Sequence, residues 1–238
     1  MKILGLIPAR GGSKGLPGKN IKLLGGKPLL QYTVESAKKS ELLDREILSS
    51  DDPEIIAVAK ELGLEVPFLR PEDLAGDATT SLEVIKHALK ELSSQGEEYD
   101  AVCLLQPTTP FRSAGLIDAA IEKFTKGGYD SLISVREVAA EFNPHWIFEE
   151  KDGNLQIATG EKEIISRRQD LPKAYHRDGA IYLTKTSVIL EQNSLYGDRI
   201  GFIETTGSVY VNIDTEEDWE DAEKLVESGK WKEDSQGG

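Results

Sequence analysis

A chain of 238 residues is long enough for one α/β domain carrying a modest excursion and too short for a long repeat array. Its 28 Lys and Arg against 42 Asp and Glu leave a formal charge of −14, which argues against a broad basic face that coats nucleic acid. No stretch approaches the roughly 20 apolar residues that span a bilayer, and the apolar run Ile3 to Ala9 is too short for a signal core and ends without a cleavage site. One cysteine, Cys103, has no disulfide partner, and His87, His145 and His176 are too scattered for a zinc site. The expectation is a soluble, cytoplasmic protein with neither a nucleic-acid nor a membrane partner.

Lys2 to Ala9 reads as a buried strand of a parallel sheet, followed by a loop rich in Gly and Pro. Pro28 opens a helix with Leu29, Leu30, Thr33 and Ala37 on one face, and Arg45 to Ser49 forms a second strand. Asp51 or Asp52 caps the next helix, with Pro53 in its first turn and Gly63 at its end. Thr80 and Glu83 have capping-box spacing ahead of an amphipathic helix through Leu92. Ala101 to Leu105 is a strand, Ser113 to Phe124 a helix and Tyr129 to Val135 another strand. Residues 136–175 lose the βα rhythm and read as an inserted arm. The rhythm resumes at Ala180 to Thr184 and Ile200 to Glu204, and a last helix begins near Thr215. The organisation is then one domain of residues 1–135 and 176–230, an arm at 136–175, and a frayed tail at 231–238.

The segment Ile7-Pro8-Ala9-Arg10-Gly11-Gly12-Ser13-Lys14-Gly15-Leu16-Pro17-Gly18-Lys19-Asn20 follows the first strand, where open α/β sheets place ligands. Gly11, Gly12 and Gly15 let backbone amides approach an anion, and Arg10, Lys14 and Lys19 neutralise it. The composition suits a triphosphate cradle on an otherwise acidic chain. It matches neither the P-loop nor the Gly-x-Gly-x-x-Gly pattern. A plain glycine turn with solvated lysines has the same composition.

Followed by Leu69-Arg70-Pro71, Leu104-Leu105-Gln106-Pro107-Thr108, Arg168-Gln169, Gly179-Ala180-Ile181-Tyr182 and Ile213-Asp214-Thr215, this loop resembles the CMP-N-acylneuraminate cytidylyltransferases, also called CMP-sialic acid synthetases, over residues 2–228. The resemblance implies an α/β fold, a Rossmann-like nucleotidyltransferase three-layer sandwich with a mostly parallel sheet and a small dimerisation arm. It implies condensation of CTP with a nonulosonic sugar acid, Mg²⁺ as cofactor, and a homodimer. Matched position by position, it assigns the triphosphate to Arg10, Ser13, Lys14, Lys19 and Asn20, and cytosine to Arg70 and Thr79, Thr80 and Ser81. It assigns the sugar acid to Gln106 and Arg168, and the metal to Asp214 with Asn212 second. Arg10, Lys19 and Asp214 carry the chemistry, with Lys19 the first choice for stabilising the transition state, because charge on the transferring phosphoryl group must be compensated.

Each assignment competes with a simpler one. Arg70 could pair with Glu72 or Asp73, and Thr80 and Ser81 could only cap a helix. Arg168 could be a solvated surface charge, and Asp214 could cap the last helix. Asn212 stands where the sialic acid enzymes usually have an aspartate, which leaves open legionaminic, pseudaminic or eight-carbon acceptors, a phosphonate, and a CTP-binding protein without turnover. Cys103 reads as a small buried hydrophobe.

Overall fold

The computed structural model describes residues 1–205, 207 and 209–231; beyond Trp231, the expected frayed tail lies outside the described residues. In chain order, β1 is Ile3–Pro8, β2 and β3 are the short pair Leu23–Leu24 and Lys27–Pro28, and α1 is Leu29–Lys38. Next come β4 (Arg45–Ser49), α2 (Pro53–Glu61), α3 (Ser81–Ser94), β5 (Ala101–Leu104), α4 (Leu116–Gly127) and β6 (Ser131–Glu137). The excursion holds β7 (Phe148–Lys151) and β8 (Asn154–Ile157), after which the chain returns through β9 (Tyr175–Lys185), α5 (Thr186–Glu191), β10 (Ile200–Glu204) and α6 (Glu216–Glu227).

Local chemistry sets the helix starts. The Asp52 carboxylate accepts from the amides of Glu54 and Ile55, with Pro53 at the first helical position of α2. Thr80 and Glu83 close a capping box on α3, and Thr215 and Asp218 close another on α6. Such a cap contributes about 1 kcal/mol. α4 begins three residues later than the pattern suggests, at Leu116, because Gly115 sits in the left-handed region at φ 70° and acts as its N-cap.

Six strands form one sheet in the order β4-β1-β5-β9-β6-β10. Neighbours pair in parallel except β9, which runs antiparallel to both β5 and β6. Alternate residues of β1 feed opposite faces: Ile3 and Ile7 join the core shared with α1, α2 and α4, while Leu4 and Leu6 join the core under α3. The result is three layers. A third cluster, with Leu16, Leu29, Tyr32, Ile213 and Trp219, seats α6 beside α1. The excursion is a β7–β8 hairpin with short 3-10 turns around it. Among the described residues, no helix is long and apolar enough to cross a membrane.

Cys103 lies on β5 with no exposed surface, and burial pushes its thiol up to about 12. A neutral thiol shielded from solvent does not react. The native chain at pH 8 should resist alkylation and take up one label only after denaturation; rapid labelling of the native chain would contradict the packing of β5.

Candidate active site

A cleft of about 390 Å³ opens where β1, β4 and β5 end at their carboxyl sides. The first wall is the loop from Arg10 to Asn20. Leu16 is buried against Ile213 and Trp219, which fastens the loop's middle to the C-terminal part of the fold. The Asn20 amide donates to the Arg10 carbonyl at 3.1 Å and holds the loop's two ends together. Lys19, with a side chain only 12% exposed, donates to the Ile213 carbonyl at 2.9 Å and to Asp214 Oδ1 at 2.8 Å. A Cβ on Gly15 would stand 2.2 Å from the Asp214 carbonyl oxygen, so only glycine permits this approach.

The opposite wall runs from Arg70 to Ser81. Arg70 is buried, and its Nε donates to the Ser49 hydroxyl at 3.0 Å while Nη2 donates to the Ser49 carbonyl. It therefore pairs with neither Glu72 nor Asp73. Among the described residues its Nη1 has no hydrogen-bond partner, and the side chain lines the cleft. Burial, reinforced by the nearby Arg10 charge, lowers Arg70 to about 10, which still leaves it cationic at neutral pH. Thr79 and Ser81 also line the cleft. Thr80 does not: its hydroxyl is occupied by the capping box with Glu83.

The floor is Gln106-Pro107-Thr108, continuing from β5, with the Ile213 amide bonded to the Thr108 carbonyl at 2.8 Å. Beside it the β6–β9 register shifts between Ile133 and Val135, and the bulge carries Gly179 at φ 84°. A Cβ there would lie 2.9 Å from the Thr109 hydroxyl and 3.3 Å from Gln106 Oε1. Arg112, unremarked in the sequence, is buried beneath this floor. Its guanidinium donates to the carbonyls of Gln106 (2.8 Å) and Ala180 (3.0 Å) and to the Thr33 hydroxyl (2.9 Å). Burial lowers it to about 10.

Of the residues nominated from sequence, Arg10, Ser13, Lys14, Lys19, Asn20, Arg70, Thr79, Ser81, Gln106 and Asp214 border this one cleft. Asn212 adjoins it, with Nδ2 donating to Asp214 Oδ2 at 2.6 Å. Asp214 does not cap α6, since Thr215 is the N-cap and its partner is Asp218. Arg168 is not brought to the cleft; it begins a 3-10 turn in the excursion and lines a separate groove with Asn143 and Leu171. Asp77 escaped notice. It bridges Arg10 (2.8 Å) and Lys14 (2.5 Å) across the cleft, and its carboxyl is held below the usual range chiefly by the Lys14 hydrogen bond. Its position as an acid between Arg70 and Thr79 was the available signal.

Among the described residues no group of three His, Cys, Asp or Glu could hold a metal. Asn212 turns its Nδ2 to Asp214 and its Oδ1 toward the Thr109 hydroxyl, which leaves the Asp214 carboxylate, with a side chain 60% exposed, as a hard-oxygen set too small to bind a cation alone. That set fits an ion shared with phosphate oxygens and water.

The fold is that of the Rossmann-like nucleotidyltransferases. Its likeness to a CMP:2-keto-3-deoxy-manno-octonic acid synthetase solved with CTP has a TM-score of 0.72 over 96% of this chain and 100% of that one, at 16% identity. A family model described as cytidylyltransferase matches residues 4–235, and the chain belongs to that family of nucleotidyltransferases. It is 38% identical to a pseudaminic acid cytidylyltransferase of Campylobacter jejuni, over 94% of this chain and 96% of the relative. It is 35% identical to a CMP-N,N'-diacetyllegionaminic acid synthase of Legionella pneumophila, over 95% and 97%.

Gly15→Ala forces its methyl group into the Asp214 carbonyl and should lower turnover at least about tenfold by moving Lys19, a misplacement effect of the size expected near a reacting centre. Turnover and melting temperature both within error of wild type would show that the loop does not need this close approach.

Proposed function

We propose that this chain transfers CMP from CTP to the anomeric 2-hydroxyl of a nonulosonic acid. The acceptor oxygen forms a bond to the α-phosphorus and gives up its proton, which ends in solvent, while the bond from that phosphorus to the bridging oxygen breaks and its electron pair leaves with pyrophosphate. The observation that carries the reading is the convergence of Arg10, Lys14, Lys19 and Arg70 in one cleft with Gln106 at the carboxyl end of β5. Relatives that act on pseudaminic and legionaminic acids support a nonulosonic acceptor. CTP is supplied by the cytoplasm, where we place the reaction.

In this reading Arg10 and Lys14 hold the terminal phosphates. Lys19, kept nearly dry and pointed by two fixed acceptors, compensates charge at the transferring phosphoryl group without having to reorganise. Arg70 presents its remaining nitrogen to the O2 or N3 acceptors of cytosine, with Thr79 and Ser81 beside it. Asp214, with the Asn212 amide second, would hold Mg²⁺, which supplies further neutralisation of phosphate charge when bound. Gln106 meets the acceptor from its own cleft. Arg168 can serve the acceptor carboxylate only from the excursion, which makes its role depend on a second copy.

The excursion supports a homodimer. Phe142, Phe148, Leu155 and Ile164 expose between 47% and 70% of their surface in this excursion, large apolar side chains that a second copy would cover. Light scattering should give twice the chain mass, and Phe148→Glu with Leu155→Glu should give the monomer; a monomeric wild type would remove the dimer.

The decisive experiment measures pyrophosphate release from CTP and Mg²⁺ with pseudaminic, legionaminic and N-acetylneuraminic acids. Release with at least one acceptor is expected, with Lys19→Ala lowering kcat about a hundredfold or more, the scale for losing one transition-state contact. CTP binding without release from any acceptor would establish a binding protein instead.

A further inference from the structure

Asp77 belongs to the wall that reads the base, yet both of its oxygens are spent on the phosphate loop. Oδ1 takes Arg10 Nη2 at 2.8 Å, and Oδ2 takes Lys14 Nζ at 2.5 Å. Arg10 Nη1 also reaches the Ala75 carbonyl at 3.4 Å. The fold does not require this bridge. The phosphate loop is already fastened by Leu16, Lys19 and Asn20, and the opposite wall by Arg70 on Ser49 and by the Thr80–Glu83 capping box. All three bridging groups keep solvent contact, with side chains 30% (Arg10), 83% (Lys14) and 39% (Asp77) exposed. A carboxylate therefore sits, removably, on the two cations that the proposed reaction assigns to the terminal phosphates.

We propose that Asp77 is an internal anion that competes with the terminal phosphates of the nucleotide for Arg10 and Lys14, and so restricts that part of the cleft to polyphosphates. The inference rests on the nucleotidyltransfer reading of the cleft. An intramolecular carboxylate acts at a local concentration on the order of millimolar or more. A singly charged competitor, including the carboxylate of a sugar acid, gains too little from two cations to displace it. A pyrophosphate group, with several charges and many acceptor oxygens, displaces it readily. The same carboxylate recaptures Arg10 and Lys14 as pyrophosphate departs, which favours release of that product. In population terms, polyphosphate binds only the fraction of molecules with the bridge open, and its apparent affinity is reduced by that fraction.

The sign of the effect separates this role from the alternatives. A residue that merely shaped the loop, or that helped hold the metal, would weaken polyphosphate binding when neutralised; a competitor would strengthen it. Calorimetric titration of the full chain with CTP, pyrophosphate and CMP, with Mg²⁺ present, compares wild type with Asp77→Asn, Asp77→Ser and Asp77→Glu. Both neutral variants should bind CTP and pyrophosphate about three- to tenfold more tightly, the range expected for releasing two exposed ion pairs. CMP, lacking the terminal phosphates, should change by less than about twofold on the same basis, and Asp77→Glu should return toward wild type. Circular dichroism confirms that each variant is folded. Unchanged or weaker pyrophosphate binding in the folded neutral variants overturns the proposal, as does a gain for CMP equal to that for pyrophosphate. A wild type that binds none of the three removes the nucleotidyltransfer reading together with this one.

Discussion

The site depends on one tether, the Lys19 ammonium gripped by the Ile213 carbonyl and the Asp214 carboxylate, groups 194 and 195 residues further along the chain. A mostly buried ammonium needs acceptors on every face that water has left, and these two are fixed by packing. Ile213 is fully buried in the cluster with Leu16 and Trp219. Asp214 is held from behind by Asp218, which accepts the Asp214 and Thr215 amides at 2.9 and 2.8 Å while serving the α6 capping box. Burial alone would raise Asp218, but those hydrogen bonds outweigh it and keep the carboxyl below its usual range. A helix cap near the end of the domain thus sets the aim of a lysine near its beginning.

The tether also explains how a chain of charge −14 can offer an anion site. Solvent and salt screen the outer carboxylates within about 8–10 Å, whereas the cleft has its own composition of four cationic side chains and two carboxylates. Both carboxylates are already committed to cations, Asp214 to Lys19 and Asp77 to Arg10 and Lys14. Arg70 is held by neutral oxygens of Ser49 and makes no salt bridge among the described residues, and the nearby Asp51 charge favours its cationic form without outweighing burial. Arg112 beneath the floor is likewise bonded only to carbonyls and a hydroxyl. Burying such guanidiniums costs several kcal/mol each. The positive potential they leave in the cleft is what an anionic ligand would offset.

Features written into adjacent residues were legible in the sequence. The capping box at Thr80, a cap at Asp51 or Asp52, the start of the last helix near Thr215, the buried strands β1, β4 and β5, and the loop from Arg10 to Asn20 depend on short-range patterns that survive without coordinates, whereas the choice of Asp52 and of Thr215 over Asp214 as caps came from the structure. What was not legible depends on partners far apart in sequence. The bridge from Asp77 joins residues 67 positions away at Arg10, and Arg112 owes its burial to Thr33 and Ala180. The antiparallel sense of β9 is invisible to periodicity, because a strand buried between β5 and β6 is apolar whichever way it runs. Thr80 was ambiguous for a different reason: a hydroxyl that can cap a helix and a hydroxyl that can read a base are the same group, and the contact the structure shows is the capping one with Glu83.

β9 ties the excursion to the floor of the cleft. It begins at Tyr175, where the excursion ends, crosses the bulge at Asp178 and Gly179, and continues between β5 and β6 to Lys185. The bulge is locked from inside the sheet. The Asp178 carboxylate accepts from the Ser134 hydroxyl, from the Ala180 amide at 3.0 Å and from Thr205 at 2.5 Å, while the Ile181 amide donates to Ser134 at 2.7 Å. Its backbone carbonyl meets the Thr109 hydroxyl at 3.2 Å, directly behind Gln106. One strand therefore carries both the direction in which the hairpin projects and the shape of the wall that would meet an acceptor. If the hairpin were seated on a second copy, as proposed above, the contact would bear on the same strand that places Gly179 against Gln106, so that assembly and acceptor fit would share one piece of backbone.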